Sequence, residues 1–221
     1  MLAALPRRRP TARVRARGTH QALTPVVDVA RDPRWGRVEG TFGEDPYLIT
    51  RMDVAAVRGF QGDARFRDKT RVIATLKHFV AHGQPEGGQN CAPVNVSMRA
   101  LRDVFLSPFR AAIAEAGAVS VMASYNEVDG VPSYANQWLL RDVLRDEWGF
   151  IGFVVSDYYA LWELNDRLDA RGCRARNAAV SRRAQSFEFS ITDCATGCAV
   201  RVAHRVSVFC GRMKQRTAET D

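Results

Sequence analysis

No stretch of this chain approaches the roughly 18 consecutive apolar residues that a membrane-crossing helix requires. The sequence therefore offers no candidate span. Cysteine is scarce too: there are five in 221 residues, an odd count, and four of them (Cys173, Cys194, Cys198 and Cys210) lie after residue 170. Such a set builds no disulfide framework. The pair in CATGC (194–198) has His204 as its only nearby imidazole and no second pair at zinc-ligand spacing. These cysteines read as free thiols, and neither a metal nor an organic cofactor is expected. The opening MLAALPRRRP places a few apolar residues before its arginines, the reverse of a secretory leader. The expectation is that nothing in the chain as written directs it across a membrane, and its localisation is left open.

Acidic residues are missing from positions 1–20, which carry six arginines, while residues 171–221 hold ten Lys and Arg against four acids. Between them, residues 21–170 hold sixteen basic and twenty acidic residues. The net charge of +8 is thus a property of the ends. Blocks such as RRRP and RVRAR attract polyanions without specificity, and no nucleic-acid reading motif accompanies them, so no specific nucleic-acid partner is expected.

What is present is alternation. ALTPVVDVA (22–30), VIATLKHFV (72–80), AVSVMASYN (118–126) and IGFVVSD (151–157) are apolar runs of strand length. Between them, helical spacing predicts a helix from Pro46 to Phe60 with Leu48, Met52, Ala55, Ala56 and Phe60 along one face. A second helix follows Ser97, bent near Pro108, and a third covers NQWLLRDVLRDEWG, while EVDGVPSYAN reads as a loop. Near-continuous apolar strands alternating with helices predict a parallel sheet covered by helices. In such folds the reactive groups gather at the carboxyl ends of the strands, which would bring Asp28, Lys77, His78, Tyr125 and Asp157 to one rim. Four strands are about half of an eight-stranded barrel.

Each polar residue at that rim has a plain structural reading: Asp157 as a helix cap, Arg37 as a partner of Glu39 or Glu44, His78 as a satisfied core imidazole, Tyr125 as a wall. Together they describe cationic and hydroxyl donors around one carboxylate. That environment favours Asp157 as an anion, the state a nucleophile needs.

The segments PVVDVARDPRWGRVEGTFGEDPYL, LKHFVAHG, MASYNEVDGVPS and LRDEWGFIGFVVSDY resemble, in order and spacing, the glycoside hydrolase family 3 β-glucosidases and β-xylosidases. The resemblance implies an α/β fold, a partial TIM-like (β/α)8 barrel incomplete at both ends. It also implies a retaining hydrolase acting on terminal non-reducing β-D-glucosyl or xylosyl residues. By the same resemblance Asp157 is the nucleophile, Arg37, Lys77, His78, Met122 and Tyr125 hold the sugar, and Tyr158 supplies an aromatic that packs on it. In most family members with these motifs the acid/base glutamate comes from a second α/β domain downstream. None of Glu39, Glu44, Glu86 or Glu127 matches it, so the role is assigned to no residue.

The expected organisation is an unpatterned basic segment 1–14, a barrel domain 15–170, and an unpatterned basic tail 171–221, with neither end a native continuation of the fold. On that expectation, the chain by itself turns over little substrate without the second domain. Two alternatives stand beside this reading: the β-N-acetylhexosaminidase branch of the family, and a sugar-binding fragment without catalysis.

Overall fold

The computed structural model describes residues 8–62, 68–158 and 160. Its centre is a four-stranded sheet of β1 (Gln21–Ala22), β2 (Ile73–Phe79), β3 (Ser120–Ala123) and β6 (Phe153–Ser156), in the order β1-β2-β3-β6 with every pair parallel. Thr75 pairs with Ser120 and Ser120 with Phe153, so one register row crosses three strands. β3 is buried along its whole length and β2 nearly so. Such strands cannot show an apolar/polar alternation, which is why they read in sequence as continuous apolar runs.

The first strand is shorter than the run 22–30 suggests. Pro25 has no N–H to give to a ladder, and the regular strand stops before it. Hydrogen bonds to β2 continue outside the regular strand, with Thr75 N donating to the Thr24 carbonyl (3.0 Å), Lys77 N to the Pro25 carbonyl (3.2 Å) and Val27 N to the Lys77 carbonyl. Asp28 is thereby carried alongside the end of β2.

α2 (Pro46–Gln61) starts where the sequence indicates: the Asp45 carboxylate accepts from the amides of Tyr47 (2.8 Å) and Leu48 (3.4 Å), and Pro46 occupies the first turn. Its buried face differs from the expected one. Ile49, Asp53, Val54, Ala56 and Val57 face the core, while Leu48 is half-exposed. The stripe 49-53-57 runs through a buried aspartate, and that charge hid the true face from a hydrophobicity reading.

The helix expected after Ser97 is broken into α3 (Met98–Ala100), a wider π turn over Leu101–Phe105, and α4 (Ser107–Ala116). Ser97 Oγ caps it by accepting from Ala100 N at 3.2 Å. Pro108 explains the break. Its ring excludes the carbonyl four residues back, that of Val104, which instead accepts from the Ser107 hydroxyl at 3.3 Å.

The loop 127–136 holds a hairpin, β4 (Glu127–Val128) with β5 (Val131–Pro132). Asp129 (φ 52) and Gly130 (φ 73) make a tight turn whose left-handed backbone suits the Asp-Gly dipeptide. The helix α5 (Trp138–Glu147), wound with π-type hydrogen bonds, buries Leu139, Leu140, Val143 and Leu144. Within the segment 1–14 expected to be unpatterned, the structure begins α1 (Arg8–Ala16), which packs near α2 and buries Thr11 completely. A helix dominated by arginine buries too little apolar surface to announce itself. The tail 171–221 lies outside the described residues.

The core joins the sheet to its helices through Leu76, Phe79, Val121, Leu101, Phe109, Leu140 and Leu144. Phe79 meets Phe109 edge-to-face at 5.1 Å. Phe79 is the aromatic next to His78, so the same strand end delivers a side chain to the core and one to the site. Truncating Phe79 to alanine is expected to cost about 3–5 kcal/mol.

Candidate active site

Four carboxyl-terminal strand ends converge on one polar cluster. Asp28 follows the first strand, Lys77 and His78 end β2, Tyr125 follows β3, and Asp157 follows β6. Gly83 clamps the loop after β2 onto the loop after the first strand. Its carbonyl accepts from Arg31 N at 3.0 Å, and a Cβ there would sit 2.5 Å from the Val29 carbonyl oxygen. Only glycine allows so close an approach.

His78 is buried and fully engaged. Its Nδ1 lies 2.7 Å from Asp28 Oδ2, and the same oxygen accepts from the His78 backbone N–H at 3.2 Å. Arg37 Nη2 lies 3.0 Å from His78 Nε2, and Arg37 Nη1 lies 2.9 Å from His82 Nε2. A guanidinium has no acceptor, so each imidazole accepts at Nε2 and carries its proton on Nδ1. In His78 that Nδ1–H donates to Asp28. Two imidazole nitrogens, not a carboxylate, are what Arg37 leans on: Glu39 and Glu44 make no ion pair with it among the described residues.

His82 is buried, and burial holds its pKa down at about 4; Asp28 opposes the shift, His78 and Arg37 reinforce it, and Asn126 opposes it. The ring stacks edge-on to Trp35 at 5.3 Å and lies 4.6 Å from the His78 ring. Trp35 is itself fixed by Nε1–H donating to Asn90 Oδ1 at 2.9 Å. Lys77 is half-buried, and its ammonium pKa is lowered, first by desolvation and then by Arg37, with Asp157 and Asp28 pulling it back up. It stands amid both carboxylates and the guanidinium.

Asp157 is held differently. Its side chain is 16% exposed, its Oδ1 accepts from Tyr158 N at 2.7 Å, and its Oδ2 sits 3.5 Å from His78 Nε2. Because that nitrogen already accepts from Arg37, no proton lies between it and Asp157. The Tyr125 hydroxyl donates to the Tyr158 carbonyl. Met122 is buried in β3, in register with Val155 of β6. Tyr158 turns its ring to solvent, 74% exposed.

The structure thus brings Arg37, Lys77, His78 and Asp157 into one cluster, with Tyr125 anchoring the backbone just beyond Asp157. Asp28, expected at the reactive rim, is instead buried beneath it as the partner of His78. Sequence reasoning missed His82, although it lies in the same LKHFVAHG segment, because nothing in a linear motif says that two imidazoles share one guanidinium.

Residues 9–183 match the family described as glycosyl hydrolase family 3 N terminal domain. The chain belongs to glycosyl hydrolase family 3. The match extends past both edges of the expected 15–170 boundary. Among relatives, a β-xylosidase of Formosa agariphila is 50% identical over 150 residues, covering 66% of this chain and 21% of that protein. A periplasmic β-glucosidase of Salmonella typhimurium is 43% identical over 147 residues, covering 66% of this chain and 19% of that protein. Among solved structures, a mutant β-glucosidase of Listeria innocua in complex with laminaribiose superposes with a TM-score of 0.76 at 38% identity, covering 82% of this chain and 25% of that one. The chain therefore spans about a fifth of the length of these curated relatives. The family 3 amino-terminal domain is a TIM-like α/β fold, and the open parallel sheet with its helices is a partial barrel of that kind.

Proposed function

We propose that this family 3 domain supplies the nucleophile and the sugar-gripping cations of a retaining β-glycosidase that removes terminal, non-reducing β-D-glucosyl or β-D-xylosyl residues. The observation that carries the reading is the seating of Asp157: a partly shielded carboxylate at a strand end, taking one backbone N–H and bordered by Lys77 and the Arg37 guanidinium. Such surroundings hold its oxygens aimed at the site. The names of the β-xylosidase and β-glucosidase relatives, and the laminaribiose bound by the Listeria protein, supply the substrate class.

In the proposed reaction an Asp157 oxygen bonds to the anomeric carbon as the glycosidic C–O bond breaks, and the leaving oxygen takes a proton from a second carboxylic acid. Water then cleaves the glycosyl ester, giving up its proton to that group and restoring Asp157. Retention requires the two carboxyl groups to stand roughly 5–5.5 Å apart. No described residue is assigned the second role, and it belongs in this proposal to the second α/β domain. Arg37, Lys77 and His78 hold the hydroxyls of the terminal sugar, Met122 and Tyr125 line its site, and Tyr158 swings its exposed ring onto the sugar face.

Incubation with 2-deoxy-2-fluoro-β-glucosyl fluoride, whose leaving group needs no acid, tests the nucleophile without the unassigned residue. Peptide mapping is expected to place a fluoroglucosyl ester on Asp157. A label elsewhere, or none where a full-length relative is labelled, overturns the assignment.

A further inference from the structure

Arg37 has five N–H donors, and among the described residues two are spent on protein acceptors. What fixes the remaining three is the pair of imidazole nitrogens on which the fork rests. One belongs to His78, itself held by buried Asp28. The other belongs to His82, which has no role in the proposed chemistry and, among the described residues, makes no ion pair with Asp157.

We infer that His82 is a positioning residue for Arg37: its Nε2 is a proton-free acceptor that, together with His78, locks the guanidinium in one orientation beside Asp157.

Three features support this. His82 is fully buried, so its acceptor competes with no water. Its ring is fixed on three sides, by Trp35 edge-on, by His78, and by Tyr125 at 6.5 Å. The charged and polar groups facing it from the surrounding elements are Arg37, His78, Asp28 and Asn126. Of these only Asp28 and Asn126 favour an imidazolium, and both Arg37 and His78 oppose it. Protonating Nε2 would point an N–H at the guanidinium, replacing a hydrogen bond with a clash of like charges. The site is therefore built for a neutral His82, and its grip on a sugar depends on that neutrality. The catalytic consequence rests on the glycosidase reading above, whereas the tautomer does not.

Two readouts separate the inference from that reading. First, the full chain, with its four histidines labelled with nitrogen-15 in the ring, is examined by long-range proton–nitrogen correlation, with His82→Gln identifying the His82 signals. His82 is expected with its proton on Nδ1 and an unprotonated Nε2, unchanged from about pH 7 to about pH 5, where an ordinary histidine has largely charged. An Nε2–H tautomer, or titration near pH 6.5, overturns the inference whatever the enzyme does.

Second, the concentration dependence of Asp157 labelling is compared between variants. His82→Leu, which removes the acceptor, is expected to weaken reagent affinity about tenfold while leaving the limiting rate within about threefold. His82→Gln, whose amide oxygen can accept from Arg37, is expected to recover most of that affinity and to lose its decline below about pH 5. Equal affinities in wild type and His82→Leu would sink the positioning role. If the wild-type chain takes no label at all, the glycosidase reading fails while the tautomer measurement still decides the inference.

Discussion

The ends of β2 and β6 both deliver a polar side chain to the same site, yet they are built in opposite ways. At the end of β2 and in the loop after it, His78 and His82 are buried, cross-linked through Arg37, and backed by Asp28 and Trp35. Beyond β6, Asp157 is partly open and held by the amide of the next residue, with Tyr125 pinning the Tyr158 carbonyl. On the proposed function, the difference separates two tasks. A group that grips a substrate gains from being fixed before the substrate arrives, because the cost of ordering it is met during folding. A nucleophile must move along a bond-forming path, and a carboxylate sealed behind several donors would lose reactivity.

If the two ends divide the work in this way, substitutions should divide too. The largest effect on chemistry is expected from Asp157→Ala, which should lower turnover of an aryl β-glucoside by the intact enzyme at least about 1,000-fold. Because that side chain is neither in the core nor a network hub, its melting temperature should shift little, as calorimetry would show. Asp28→Ala should do the reverse to stability. It removes the partner of two buried His78 donors, so unfolding in urea is expected to reveal a loss of about 2–4 kcal/mol. If Asp28→Ala left stability intact, the rigid half of the comparison would be gone.

pH sharpens the contrast further. His82 has a folded pKa of about 4 against an ordinary value of 6.5, so the unfolded chain binds the additional proton between those values. Stability from this group is therefore complete above about pH 6.5, falls as the pH drops, and levels off below about pH 4, for a total of up to about 3 kcal/mol. Urea midpoints across that range, compared with His82→Gln, would isolate it. The smallest effect is expected at Gly130, exposed at the hairpin turn with open space where a Cβ would sit. Alanine there must adopt φ 73, at a cost of about 1 kcal/mol and with no change in labelling.

How far these features could be read in advance depends on where their physics lies. β2, β3, β6 and the cap of α2 were legible because apolar runs and an Asp-Pro start are local signals. Asp157 was legible as the polar end of the short apolar run IGFVVSD. The interrupted first strand was not, since its residues 22–30 look continuous until Pro25 is asked to donate a hydrogen bond. Nor was the buried face of α2, where Asp53 sits in the stripe a hydrophobicity pattern would fill with aliphatic residues. The hairpin turn at Asp129–Gly130 did carry a signal, the Asp-Gly dipeptide, which the reading of 127–136 as a loop passed over. At the site, Arg37, Lys77 and His78 could be named from their motifs, but Asp28 was placed at the rim when it lies beneath it. The role of His82 depends on a guanidinium 45 residues away in sequence, and no spacing rule records that.

The most direct test of the central claim, that Asp157 is a nucleophile gripped from the β2 side, is chemical rescue of Asp157→Ala in the intact enzyme. With 2,4-dinitrophenyl β-glucoside as donor and azide as added nucleophile, azide should enter the space the carboxylate left and yield α-glucosyl azide, a product the unaltered enzyme does not release. Formation of β-glucosyl azide, or no dependence of the Asp157→Ala rate on azide, would contradict it.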